Sequence, residues 1–544
     1  MRWVRAGAVI VLLVLAATVE SATAAWAPFS TLAIFAVIAG LLVAGLRLRR
    51  PARIPPPVAG AQWADRQDAV RLAAPGAFLL GLWGPARTPL YLTDERLSGH
   101  VLVIGPSRTG KTAGVIAPNL LNRDAARESV VVLDIKTGPR SLWNVTAGRY
   151  ATRAHLFCPF FEGSVGYNPL ASVDSIGAAQ RKAALLVQNT TPRGLSGDAH
   201  VYAAATADLA ALLFMHVQQD RGLGGHTVGA VYRLALGGPA LIRETLRSSR
   251  VADVRERHGI FAARERRVQE AAVTGLIERL APWADPLVAQ VTSEHFDLAA
   301  LGREPAALYI LMPETDAGQL QSLVAWLVAD LLDQLIAQAE RDGPRIPVRM
   351  FLDEFRQFGY LPGFSESLPT LRERGISVLL GVQTLSQIEE VYGRTETRTL
   401  VGNTETKLVF RAGDLETARL ISGWLGRTTV PAVSVTTRGR DRSTTVHPYV
   451  RPLMPPEELT RIPDGAMIAL AGATRPLSLW QARYFALRGL ALPSPPFPLS
   501  RRSAPPLAVA PSTFAPPPST GRTPPRPAGG VRAHRDAGGE LSEA

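Results

Sequence analysis

The residues best suited to chemistry stand in one run, Gly105-Pro106-Ser107-Arg108-Thr109-Gly110-Lys111-Thr112, directly after the apolar segment His100-Val-Leu-Val-Ile104. Two glycines with four residues between them, followed by a lysine and a hydroxyl, match the phosphate-binding loop in full. The glycines let the backbone wrap close enough for its N–H groups to point at phosphate oxygens. Lys111 adds a compact charge near the β and γ phosphates, and Thr112 offers a hydroxyl to Mg2+. Such a loop needs a strand before it and a helix after it, and residues 113–121 are apolar and compatible with that helix. ATP and Mg2+ are therefore the expected cofactors.

Hydrolysis also needs carboxylates. Two apolar segments end in aspartate, Val130-Val-Val-Leu-Asp134 and Arg349-Met-Phe-Leu-Asp353, and only the second runs on into another acid, Glu354. That adjacency lets Asp353 hold Mg2+ through water while Glu354 polarises the attacking water. Asp134 with Lys136 reads either as a supporting pair beside the site or as a structural ion pair. The segment Ser377-Val-Leu-Leu-Gly-Val-Gln383 ends in an amide placed to sense a γ-phosphate. Ahead of it, Leu371-Arg372-Glu-Arg374-Gly375 is placed to present an arginine across a subunit boundary if the protein forms a ring; an ordinary surface arginine is the plain alternative.

Composition bounds the partners. The formal charge of +13 suits an anionic partner, nucleic acid or an acidic membrane surface, without choosing between them. Nearly all of that basicity is arginine: the only lysines are Lys111, Lys136, Lys182 and Lys407, so each surviving lysine is informative. A lone Cys158 excludes an internal disulfide framework and reads as a small buried residue in a reducing compartment. The histidines show no ligand spacing, so a structural zinc is not expected.

The elements that must position the site alternate apolar strand-like runs with helical segments, as in a parallel sheet with crossover helices. The fold class is thus α/β. Strand-like runs at 307–312, 348–352, 376–381 and 407–410 belong with those around the loop, and residues 79–100 read as short strands and turns marked by Gly84, Pro85, Pro89 and Asp94. Between 178 and 301 the pattern turns helical throughout, with 202–219 and 264–280 clearest, which makes this block an all-α insertion between nucleotide-binding parts at 79–177 and 302–489.

The two ends differ from the body. Apolar stretches at 4–19 and 28–46, with Arg2 and Arg5 before and Arg47, Arg49 and Arg50 after, predict a transmembrane helical hairpin over residues 1–50 with both ends cytoplasmic. The alternative is a signal peptide processed near Ala22-Thr23-Ala24, which still leaves the second stretch as an anchor. Residues 51–78 follow as a linker that begins proline-rich, and 490–544 read as a disordered, proline-rich tail.

These segments together resemble the TraG-like family of type IV secretion coupling proteins. The resemblance rests on the phosphate loop, Val130-Val-Val-Leu-Asp-Ile-Lys136, Tyr167-Asn-Pro-Leu170, Phe351-Leu-Asp-Glu-Phe355 with Gly359, Gln383-Thr-Leu-Ser-Gln387 with Val391-Tyr-Gly393, and 403–426 ending Ile421-Ser-Gly-Trp-Leu-Gly. It implies a RecA-like domain interrupted by an all-α domain and assembled as a homo-hexamer at the bacterial inner membrane beneath a secretion channel. It also implies that Arg372 acts across the subunit interface, with Arg374 as the fallback. This chain departs from the family where Thr137-Gly138-Pro139 stand in place of the usual glycine and acid, and where the loop between the spans is very short.

The leading functional expectation is an inner-membrane ATPase that recruits relaxase-bound single-stranded DNA, protein substrates or both to the channel, its turnover stimulated by DNA. Two alternatives stand beside it: a docking receptor for effector proteins with a regulatory ATPase, and a double-strand DNA translocase of the chromosome-segregation type.

Overall fold

The computed structural model describes residues 60–503 apart from 73–77, 94–98, 192–196, 220–224, 344–345, 439–440 and 488–492. The expected membrane hairpin and most of the expected tail lie outside the described residues.

In chain order the strands are β1 (Phe78–Trp83), β2 (Thr88–Leu92), β3 (Val101–Ile104), β4 (Ser129–Asp134), β5 (Ala154–Phe157), β6 (Ala307–Leu311), β7 (Val348–Leu352), β8 (Ile376–Val382), β9 (Thr406–Val409), β10 (Arg427–Arg438), β11 (Asp441–Pro452), β12 (Ala466–Ala471) and β13 (Leu477–Trp480). β10 and β11 form a separate antiparallel pair; the others make one sheet in the order β2-β1-β13-β12-β9-β3-β8-β7-β4-β6-β5. Every pairing from β9 to β5 is parallel. The pairings on the other side are antiparallel.

β3, β4, β6, β7 and β8 are buried at every position. A parallel sheet covered on both faces demands this, which is why their apolar residues run on rather than alternate; the buried Arg349 in β7 and Ser377 in β8 are hydrogen-bonded to each other. Pro89, expected as a turn residue, instead lies within β2, paired with Leu82. β2 is the sheet edge, the one place where a strand tolerates a missing N–H.

Between β5 and β6 every named element is helical, with Ile176–Thr190, Asp198–Gln219 and Arg266–Arg279 the longest. Asp198–Gln219 and Ala317–Asp342 are long and apolar enough to cross a membrane by length and composition, yet most of their apolar surface is buried in the protein. Phe214 meets the edge of Trp326 at 5.8 Å, and Trp283 lies 5.5 Å from the same ring. A buried polar link ties this region to helix Ala317–Asp342 and to the segment that follows β5. Tyr167 Oη donates to Asp330 Oδ2 at 2.6 Å, Lys182 pairs with the same carboxylate, and Asn168 Nδ2 donates to the His226 carbonyl at 2.7 Å.

The tail departs from expectation at its start. Trp143 Nε1 donates to the Phe497 carbonyl at 3.1 Å, and the two rings lie 4.8 Å apart. Glu162 N–H donates to Ser500 O, and Arg502 N–H to Phe160 O, both at 2.9 Å. A boundary at 490 is therefore too early: one aromatic anchor plus backbone pairing docks residues up to 502, and backbone pairing of this kind carries no side-chain pattern. Cys158 is fully buried, and burial pushes its thiol up to about 12, as suits an inert core residue.

Candidate active site

The phosphate-binding loop leaves the end of β3, near the middle of the sheet. Asp134 closes β4, Asp353 follows β7 and Gln383 follows β8, so adjacent strands in the order β3-β8-β7-β4 deliver their carboxyl ends to one crevice. The Gly105 N–H donates to Val382 O at 3.1 Å, and Thr109 Oγ1 donates to Pro106 O at 2.7 Å. Arg108 and Gly110 take left-handed conformations, with φ 65° and 99°. A Cβ at Gly110 would lie 2.4 Å from Gln481 Oε1, whose amide Nε2 donates to Thr109 O at 2.8 Å. Gln481, just beyond β13, thus braces the loop from behind. The helix after the loop opens with a wide π turn, Thr112–Ile116, and continues as Ala117–Asn122.

The loop frames a cleft of about 800 Å³ lined by Pro106, Ser107, Arg108, Gly110, Lys111 and Thr112, by Lys136, Glu354 and Gln383, and by Arg483, Tyr484 and Phe485. At its base Thr112 Oγ1 donates to Asp353 Oδ2 at 2.6 Å. Asp353 is fully buried, and its Oδ1 has no hydrogen-bond partner among the described residues. A buried carboxylate oxygen without a donor is costly. Beside a hydroxyl it forms the hard oxygen set that Mg2+ prefers, usually with water completing the shell. These residues fit Mg2+.

Of the two readings of Asp134 with Lys136, the geometry favours support beside the site over a direct ion pair between their side chains. The Lys136 ammonium turns away from an ion pair with Asp134 and instead donates to Thr112 Oγ1 at 3.0 Å, lying 3.6 Å from Asp353 Oδ2. Burial works against its charge, but Asp353, Asp134 and Glu354 together outweigh that and raise its pKa. Asp134 accepts backbone N–H groups from Lys136 at 3.1 Å and Leu142 at 2.8 Å, so it shapes the chain leaving β4. Burial, and then the charge of Asp353, push the Asp134 carboxyl up to about 6.

Glu354 adopts a left-handed backbone, φ 56° and ψ 52°, uncommon for a residue with a Cβ. The turn swings its side chain out of the β7 line into the cleft. Lys111 Nζ lies 3.5 Å from Glu354 Oε1 and donates to Gly105 O at 2.7 Å, while Gln383 Nε2 donates to Glu354 Oε2 at 3.0 Å. Gln383 therefore orients the carboxylate that the sequence paired with water activation. A base held by a second group, at the mouth of a phosphate cradle, is an arrangement suited to phosphoryl transfer to water.

Arg372 and Arg374 stand outside this cluster. Arg372, in the last turn of helix Phe364–Glu373, is half-exposed and lies 3.6 Å from Glu405; Arg374 pairs with Glu340 at 2.6 Å. Neither lines the cleft. Sequence reasoning missed Gln481 and the Arg483-Tyr484-Phe485 wall, which lie in no motif. It reached Lys136 as a partner of Asp134 and through the scarcity of lysine, but not its contacts with Thr112 and Asp353.

A family model described as type IV secretory system conjugative DNA transfer matches residues 72–505. The conjugal transfer protein TraG of Escherichia coli is 31% identical over 405 residues, covering 67% of this chain and 62% of TraG. The protein VirD4 of Agrobacterium fabrum is 26% identical over 427 residues, covering 75% of this chain and 62% of VirD4. The chain thus spans about three fifths of the length of these relatives. Among solved structures, the bacterial conjugative coupling protein TrwB superposes with a TM-score of 0.63 at 18% identity, over 80% of this chain and 94% of TrwB. TrwB in complex with ADP and Mg2+ gives a TM-score of 0.60 at 19% identity, over 80% and 94%.

Proposed function

We propose that this chain, which belongs to the type IV secretory system conjugative DNA transfer family, hydrolyses ATP in the Lys111 cleft to drive DNA, with any protein bound to it, into a type IV secretion channel. The carrying observation is the joined set Lys111, Thr112, Asp353, Glu354 and Gln383, linked by the contacts described above. In this reading the loop N–H groups and Lys111 bind the β and γ phosphates, and Thr112 and Asp353 hold Mg2+. When bound there, the metal would neutralise charge on the phosphates. Glu354, steered by Gln383, takes the proton of the attacking water. The complexes of TrwB with ADP and Mg2+ and with non-hydrolysable ATP and GTP analogues support a nucleotide role for this fold.

The aromatic wall supplies the base subsite. Tyr484 and Phe485 meet edge to face at 5.3 Å, and Phe485 is 64% exposed at the rim of the cleft. A purine stacks on such a ring for about 1–3 kcal/mol. Phe485→Ala is accordingly expected to raise KM about tenfold for both ATP and GTP with kcat nearly unchanged. Steady-state kinetics with the two nucleotides checks this. A loss confined to ATP would point to hydrogen-bonded base reading instead.

The proposal extends to a hexameric ring at the inner membrane, anchored through residues 1–50, with basic surface following the phosphates of a relaxase-bound single strand. The charge of +13 supports a partner of that kind. The decisive experiment measures ATP hydrolysis by the full-length chain in detergent, with and without single-stranded DNA, at several salt concentrations and beside Lys111→Ala. DNA stimulation that fades with salt and vanishes in Lys111→Ala is the expected result. Lys111-dependent turnover indifferent to DNA would replace this reading with a protein-effector receptor.

A further inference from the structure

The oxygens that fit Mg2+ already face a cation of the chain's own. Lys136 Nζ lies 3.0 Å from Thr112 Oγ1 and 3.6 Å from Asp353 Oδ2, the two residues that would hold the metal. Resting on the Mg2+ reading above, we propose that Lys136 is a resident counter-ion competing with the metal for this position, so that divalent cation enters only when nucleotide draws Lys136 away.

Three observations carry this. Asp353 is fully buried beside a second buried carboxylate, Asp134, so negative charge concentrates where solvent cannot screen it. The other lysine of the cleft is engaged elsewhere, on the Gly105 carbonyl and Glu354. Finally, Lys136 is built to move: its backbone N–H is fixed by Asp134 Oδ1 at 3.1 Å, while its side chain is 45% exposed on a flexible stem. An ammonium there neutralises Asp353 and repels a second cation a few ångströms away. An incoming γ-phosphate offers Lys136 a competing anionic partner on the cleft side, and its departure opens Thr112 and Asp353 to the metal that accompanies the nucleotide.

The consequence is an ordered site, in which divalent cation alone binds weakly and nucleotide licenses it. The alternative role for Lys136, a plain phosphate-binding lysine, leaves metal binding without nucleotide unaffected. Mn2+ serves as the spectroscopically visible probe, titrated by electron paramagnetic resonance into the full-length chain without nucleotide. Lys136→Gln is expected to bind Mn2+ at least about tenfold more tightly than the unmodified chain, since a unit positive charge has left the immediate surroundings of the site. Adding Asp353→Asn should abolish the gain, and Lys136→Arg, which keeps the charge, should retain weak binding. Addition of a non-hydrolysable ATP analogue, which supplies the γ-phosphate, should raise Mn2+ affinity by a clearly larger factor in the unmodified chain than in Lys136→Gln.

Equal Mn2+ affinity in Lys136→Gln and the unmodified chain would overturn the proposal. So would an effect of the ATP analogue of the same size in both. Should Lys136→Gln fail to fold, as judged by thermal melting, Lys136→Met carries the same comparison. Because Mn2+ binding is read without turnover, absence of Lys111-dependent hydrolysis would sink the ATPase reading while leaving this test intact.

Discussion

Glu354→Gln is expected to lower ATP hydrolysis by about 10²–10⁴-fold, the range supplied by a positioned general base, while ATP binding survives. The substitution keeps the shape of the side chain and its capacity to accept from Gln383 Nε2, and removes the charge that draws a proton from water. Binding survives because the groups assigned to the phosphates, the loop N–H groups and Lys111, are untouched. It should even tighten slightly, because Lys111 loses its carboxylate partner at 3.5 Å and is freer to meet phosphate. Single-turnover phosphate release measured beside equilibrium binding of a fluorescent ATP analogue separates the two effects. Hydrolysis within a few-fold of the unmodified chain would move water activation to another group. Loss of binding and hydrolysis together would instead make Glu354 a structural prop for the loop.

That prediction was available in outline from the residue order alone, because adjacency of Asp353 and Glu354 at a strand end is a local signal. The central strands were legible for a similar reason: β4, β7 and β8 are buried on both faces, so their apolar residues run on rather than alternate, broken inside only by Arg349 in β7 and by Ser377 and Gly381 in β8. What the sequence withheld were contacts created by strand order. Gln481 braces Thr109 across 372 positions because β13 and β12 fold back beside β9 on the flank of β3, and no spacing rule encodes that return. Lys136 reaches Asp353 because β4 and β7 are neighbours in the sheet although more than two hundred residues separate them in the chain. Sequence proximity left two readings of Asp134 with Lys136 open, and sheet proximity, which brings the ammonium to Asp353, is what favours support of the site over a direct ion pair. Phe497 escaped notice among prolines because a single aromatic side chain, without periodicity, announces nothing until Trp143 stands opposite it.

Arg372 poses the opposite case, a residue the resemblance singled out and the geometry of one chain leaves away from the cleft. Its guanidinium lies at the end of a helix beside Glu405, half-exposed, in a pair worth about 1 kcal/mol or less. Its removal should therefore leave folding nearly intact. If the chain forms a ring in which this arginine enters a neighbour's cleft, Arg372→Ala should reduce kcat by about 10³-fold or more, as loss of an arginine finger does, with ATP binding retained. Activity loss alone does not distinguish action across an interface from action within one chain, but mixing does. Co-assembled Arg372→Ala and Glu354→Gln subunits, each nearly inactive alone, place an intact Glu354 cleft against an intact Arg372 at a fraction of their junctions. Hydrolysis by the mixture should then exceed that of either variant by far. A mixture no more active than its components would place both residues in the service of the same subunit's cleft or remove Arg372 from the reaction. Retained activity in Arg372→Ala by itself would pass the test to Arg374, whose ion pair with Glu340 at 2.6 Å would have to open first.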